Sequence, residues 1–100
     1  MFYNKDIEII EDTGYLNDDG LWIDGEFKII KTIEADVQPF SKELAYKKYS
    51  YNEDIMYRVF INPEELIKLG TIIKYKNEYY IVKKIIDWDD YWILLLDLDN

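Results

Sequence analysis

Alternation of apolar and polar residues organises the stretch from Glu26 to Gln38. Phe27, Ile29, Ile33, Ala35 and Val37 fall on one parity, and Glu26, Lys28, Thr32, Glu34, Asp36 and Gln38 on the other. A period of two belongs to a half-buried β-strand. Ile30 and Lys31 interrupt the alternation. The spacing predicts one strand of about 12 residues, bent or exchanging faces midway, against a usual ~5–6. Such a strand serves two sheets or curls around a small barrel. Ile55, Tyr57, Val59 and Ile61 alternate with Met56, Arg58 and Phe60 in a second, mostly buried strand. Three more close the chain: Thr71 to Lys76, Tyr79 to Ile86, and Tyr91 to Leu98. Lys76-Asn77-Glu78 and Asp87-Trp88-Asp89-Asp90 are their tight connections.

Between the strands, turn chemistry sets the breaks. Asp24-Gly25, behind Leu21-Trp22-Ile23, predicts a type I′ hairpin turn, whose two central residues need φ > 0. Ile7, Ile9 and Ile10 fit either a short strand or a helical turn. Glu11-Asp12-Thr13-Gly14 and Asn17-Asp18-Asp19-Gly20 read as loop, so residues 1–20 are expected to form an N-terminal arm or loop. Pro39 ends the long strand, and Ser41 can cap a short helix from Lys42 to about Lys48. Asn62-Pro63-Glu64-Glu65, closed by Gly70, predicts a second helix of two turns at most.

The expectation is a single domain over residues 1–100, mainly β: a small bent antiparallel β-barrel or roll of about six strands with one or two short helices. The last two strands are apolar on both faces, which calls for a helix, the N-terminal arm or another subunit to cover the second face. Tyr80, Trp88, Tyr91 and Trp92 are the candidate subunit-interface residues.

Composition narrows the chemistry. With 49% hydrophobic and 33% charged residues the chain reads as globular. It has no Cys and no His, which excludes disulfides, thiolate zinc sites and His-based catalytic dyads or triads. No apolar run approaches the ~20 residues of a membrane span. Met1 opens no secretory leader, so a soluble intracellular protein without membrane contact is expected. The net charge of -9 is unevenly placed. Residues 1–26 carry eight acids and only Lys5, residues 85–100 carry five acids and no base, and the middle carries eleven bases and eight acids. Acidic ends around a basic middle suit contact between unlike faces of neighbouring subunits.

The carboxylates group most closely at Asp18 and Asp19, and at Asp87, Asp89 and Asp90, each beside a Trp in a turn. Either group reads as a cation or acid–base site, or as turn formation; neither has the rhythm of a calcium loop. No Gly-x-Ser-x-Gly, Ser-x-x-Lys or phosphate-cradling loop is present. A non-enzymatic protein with no catalytic residue, cofactor or metal is expected. Ten Tyr and three Trp, with Lys42, Lys47, Lys48, Lys74, Lys76, Lys83 and Lys84, would suit a single-strand-binding small barrel, though such grooves are normally net basic. The opposite alternative is a small acidic binding module or DNA mimic that inhibits a DNA-handling protein.

The order of features resembles a family. A long strand ends in Ala35-Asp36-Val37-Gln38-Pro39, and the short helix Ser41-Lys42-Glu43-Leu44-Ala45-Tyr46-Lys47-Lys48-Tyr49 follows. Later come Leu69-Gly70-Thr71-Ile72-Ile73-Lys74-Tyr75 and Tyr79-Tyr80-Ile81-Val82, then Trp88 and a closing strand. From Trp22 to Leu96 this is similar to the head-completion, or stopper, proteins of long-tailed bacteriophages and prophages, with Ser50 where that pattern has Gly. The resemblance implies a small β-barrel that assembles as a ring beneath the portal or adaptor, retains packaged DNA and docks tail-completion proteins. Its partners are then other copies of itself, the portal or adaptor and the tail, while DNA passes without sequence-specific binding. The insertion Phe40 through Asp54 would project toward the channel, with Lys47, Lys48, Tyr49, Ser50, Tyr51, Asn52 and Glu53 as a gating loop. The implied location is the host bacterial cytoplasm during assembly and the virion head-tail junction afterwards.

Overall fold

Six of the strands curl into one closed sheet in a computed structural model, which describes residues 4–99. In chain order the barrel strands are β1 (Lys5–Asp12), β4 (Phe27–Pro39), β5 (Tyr57–Ile61), β6 (Ile72–Tyr75), β7 (Glu78–Asp87) and β8 (Trp92–Leu98). They close in the order β1-β4-β5-β8-β7-β6, every pair antiparallel. Two short strands, β2 (Tyr15–Leu16) and β3 (Trp22–Ile23), pair only with each other. The helix α1 (Lys42–Tyr49) lies in the connection from β4 to β5. The expectation of a mainly β, six-stranded antiparallel barrel therefore holds.

Alternation along each strand divides the molecule into two cores. Ile7, Ile9, Ala35, Val59, Ile61, Ile73, Val82, Leu94 and Leu96 fill the barrel. Tyr57 packs edge-to-face on Tyr75 and Tyr80, with ring centroids 5.6 and 5.3 Å apart. On the outside of the barrel a second cluster joins Ile93 and Leu95 to Phe40, Ala45 and Ile55. The odd and even residues of β8 thus enter different cores, which explains a strand apolar on both faces. Its second face is covered from within the chain, by α1 and the segment that follows it, so that feature gives no evidence for another subunit.

Bulges bend the sheet where the sequence is hardest to phase. Ile9 pairs with Lys31 but Ile10 with Ile29, leaving Ile30 as the extra residue of β4. This is the break expected at Ile30-Lys31, with one correction: the extra residue shifts the parity, so Phe27 and Ile29 do not share the buried face of Ala35 and both stay exposed. On β7, Val82 pairs with Leu96 and Lys84 with Leu95, so Lys83 is the second bulge. The β6–β7 connection is tighter: Lys76 and Asn77 have φ of 50° and 65°, the two positive values of a type I′ turn.

Three other expectations are corrected. The N-terminal segment is not an arm: of the two forms open to Ile7, Ile9 and Ile10 the strand is the one formed, and Lys5–Asp12 is β1, which closes the barrel between β4 and β6. Asn17–Gly20 is a turn as expected, and residues 1–3 of that expectation lie outside the described residues. No turn with positive φ forms at Asp24-Gly25. The reversal lies earlier, where Gly20 has φ 78° and the Asn17 carboxamide oxygen accepts from the Asp19 and Leu21 N–H groups. Gly25 instead sits at the neck of the hairpin, where a Cβ would meet the Thr13-Gly14 backbone. The third correction concerns Asn62 to Gly70, which forms turns and no helix. Ile67 is drawn into the barrel core and the Lys68 N–H donates to Thr71 Oγ1 (2.8 Å), so burial and a side-chain bond outweigh the local helix signal. Among the described residues no helix is long and apolar enough to cross a membrane.

Candidate functional site

The segment from Phe40 to Asp54 is built around α1. Ser41 Oγ accepts from the Leu44 N–H at 3.2 Å, and Ala45 is the helix residue buried on the barrel. At the other end Ser50 adopts the left-handed conformation, φ 54°, and its N–H donates to the Tyr46 carbonyl. The backbone there does what a glycine cap does, so Ser50 preserves the geometry at the cost of Cβ crowding. Lys47, Lys48, Ser50, Asn52 and Glu53 of the expected gating loop are exposed. Tyr49 and Tyr51 are not free: both pack on the outer core beside Phe40 and Ile55. They anchor the insertion and leave the polar residues between and around them exposed.

Tyr51 is unusual among the anchors. Its hydroxyl is buried without a hydrogen-bond partner among the described residues. Burial, with the Glu53 carboxylate beside it, pushes its pKa up to about 12. Lys84 lies over its ring, 5.9 Å from the centroid.

A polar tie joins the barrel to α1 through the Ala35-Asp36-Val37-Gln38-Pro39 strand end. Gln38 and Arg58 face each other across β4 and β5. The Arg58 guanidinium donates to Gln38 Oε1 (2.7 Å) and to the Tyr49 hydroxyl (3.2 Å), and Gln38 Nε2 donates to Asp36 Oδ2 (3.1 Å). Phe40 and Phe60 flank the same guanidinium, 4.4 and 4.9 Å from their ring centroids. Stacking between rings holds a partly buried charge that planar Arg tolerates better than Lys. Ala35 belongs to the inner core, Val37 packs beside it, and Pro39 is the last residue of β4. Sequence reasoning singled out this strand end but missed Arg58 as its partner; the antiparallel register that opposes the two residues was the only signal.

The four interface candidates separate by burial. Tyr80 is 4% exposed inside the barrel, so it cannot present a subunit contact; burial, with Tyr57 beside it, pushes its pKa up to about 12. Trp92 is partly buried against the inner core and Tyr91 against the outer one. Trp88 alone is fully at the surface, 54% exposed in the β7–β8 turn. In that turn the Asp87 carboxylate accepts from the Asp89 N–H at 2.9 Å, which is turn formation.

A run of exposed apolar side chains lies where no candidate was placed. Tyr15, Leu16, Leu21 and Trp22 of the β2–β3 hairpin are 55–66% exposed, with Ile23 beside them. The backbones of β2 and β3 approach no other element. Among the described residues the hairpin is tied to the barrel at its neck, where Thr13 N–H donates to the Glu26 carbonyl (3.1 Å) and Glu26 N–H to Thr13 Oγ1 (2.7 Å). Residues 11–26 hold six acids and no base. At the other end of β4, α1 displays Lys42, Lys47 and Lys48 around exposed Leu44 and Tyr46. A mainly apolar depression of about 360 Å³ opens there between Lys42, Glu43, Tyr46, Lys47 and Asn52. The sequence signal for the hairpin was present in Tyr15-Leu16 and Leu21-Trp22-Ile23, apolar pairs around an Asn-Asp-Asp-Gly turn. Reading residues 1–20 as loop obscured it.

No protein-family model matches this chain, and no curated protein matches it. The barrel carries an apolar hairpin flanked by acids before β4 and, after it, a helix with three lysines, one glutamate and exposed Leu44 and Tyr46.

Proposed function

We propose that the chain is a head-tail connector component of a long-tailed bacteriophage or prophage. It acts as a non-enzymatic stopper that forms a ring under the portal or adaptor, retains packaged DNA and docks the tail. The observation that carries this reading is the single helical insertion, which leaves a closed six-stranded barrel between β4 and β5, behind the Ala35-to-Pro39 strand end. A ring needs two different, complementary surfaces on each subunit. A barrel pinned by two cores supplies a rigid frame for them, and the insertion supplies a polar projection, Lys47 to Glu53, anchored at Tyr49 and Tyr51.

The net charge of -9 suits the task. A conduit wall of net negative charge repels phosphates, so DNA slides past without being held. Assembly takes place in the host cytoplasm and the finished ring stays at the head-tail junction. The test adds the purified protein to DNA-filled, tailless heads of the phage that encodes it. DNA retention and restored tail attachment are expected; heads that still leak and still refuse tails sink the reading. Tight binding of duplex DNA at physiological salt would remove the sliding role.

A further inference from the structure

We infer that the β2–β3 hairpin of one copy docks on the α1 face of a second copy, head to tail. Three observations carry this. First, Leu16 and Trp22 pair across one face of the hairpin and Leu21 and Ile23 lie on the other, all of them exposed, and among the described residues no other element approaches β2 or β3. An exposed apolar group of that kind on a small domain marks a contact surface. Second, the hairpin segment from residue 11 to 26 carries six acids and no base, while the depression at α1 is lined by Lys42, Lys47, Tyr46 and Asn52 with Glu43 among them. The helix as a whole has three lysines against that one glutamate, Lys42 lying 4.0 Å from Asp54. Apolar centre meets apolar centre and acid meets base, the arrangement of a buried core with a charged rim. Third, the two surfaces sit at opposite ends of β4, a strand of 13 residues, and within one chain neither β2 nor β3 approaches α1. The complement is met between copies, and because the surfaces differ, the contact is heterologous and generates a ring or an open array.

This goes beyond the stopper reading, since it specifies the subunit contact and holds for any assembly of the chain. The absence of Cys makes it directly testable by disulfide trapping. Asp19→Cys mixed with Lys47→Cys should cross-link at least ~10-fold faster than Asp19→Cys mixed with Lys68→Cys, because docking raises the local thiol concentration. Equal rates overturn the proposal, and so does a predominant Asp19-to-Asp19 cross-link, which would mark a symmetric hairpin dimer. Sedimentation gives a second measurement. Trp22→Ala and Tyr46→Ala should each weaken self-association by ~30-fold or more, the loss of one buried aromatic anchor. Mixed one to one, they should form a dimer that stops there: the intact hairpin of one enters the intact groove of the other, and the remaining ends are blank. Far-UV circular dichroism shows that the barrel survives each change. Raising salt from about 0.05 to 0.5 M should loosen the wild-type contact by screening its charged rim. Capture of the hairpin by a different basic protein while the chain itself stays monomeric overturns it as well. If cross-linking fails but tailless heads still retain DNA, the contact is wrong and the stopper reading stands. If cross-linking succeeds and heads still leak, the reverse holds.

Discussion

Arg58 and Tyr51 sit under the same helix and show two ways of burying a polar side chain. Arg58 spends its terminal nitrogens on Gln38 and Tyr49 and its flat faces on Phe40 and Phe60, while its Nε is buried without a partner among the described residues. Tyr51 contributes a ring to the outer core and leaves its hydroxyl without a partner. A buried hydroxyl in that position costs stability, and replacing it by hydrogen removes the cost. Tyr51→Phe should therefore be neutral at pH 7 or stabilising by up to about 1 kcal/mol, read from urea midpoints. It should also change the alkaline limb. A tyrosine whose pKa is lifted from 10.0 to about 12 by burial contributes stability that is complete below pH 10 and is lost as the pH rises toward 12. Tyr80 behaves alike, so the wild-type protein should lose stability through that window and Tyr51→Phe should lose less. An alkaline slope identical in both proteins would show that the Tyr51 hydroxyl is solvated.

The elements are delimited by a few backbone positions. Ser41 starts α1 and Ser50 stops it in the left-handed region, where L side chains are strained. Ser50→Gly should stabilise the fold by roughly 0.5–1 kcal/mol without altering the cap, a shift of a few degrees in a thermal melt. Destabilisation would mean that the Ser50 side chain makes a contact the cap needs. Gly25 has a different reason for being glycine. Its φ is not positive, but the Thr13-Gly14 backbone passes where its Cβ would be. Gly25→Ala should pry the neck of the hairpin apart and exchange the Thr13 and Glu26 amides faster, while the amides of β7 and β8 keep their protection. The expected type I′ turn at Asp24-Gly25 failed for that reason: local turn chemistry identified a glycine, but a close approach of two chain segments explains it.

At the scale of the molecule, β1 decides whether the sheet is a barrel at all. It pairs with β4 on one side and with β6 on the other, joining the start of the chain to residues 72–74. Removing residues 1–12 would leave β4 and β6 as open edges and uncover Ile73 and Ala35. The truncated chain should lose cooperative unfolding and aggregate, whereas an arm that merely lies on the surface would come away with the melting transition intact. Closure of this kind makes the topology rich in distant contacts, which favours slow folding over a loosely local assembly.

Much of the architecture was legible in short stretches of residues. Two-residue alternation located β4 and β5, turn residues delimited the last three strands, Ser41 announced α1, and the break at Ile30-Lys31 marked the bulge. Charge placement, too, is a property of the chain alone: six acids around the hairpin and lysines on α1. Other features were invisible because they depend on residues far apart. Whether Tyr80 or Trp88 faces solvent, whether Ile67 continues a helix or enters the core, and whether Ile7 to Ile10 belong to an arm or a barrel strand all follow from register. Alternation assigns residues to two faces but does not say which face meets a core, and β8 has a core on each. Only closure of the barrel settled that. Local chemistry determined the strands, the turns and the charges, while long-range pairing decided which side chains are buried and left the β2–β3 hairpin as the apolar surface without a place inside.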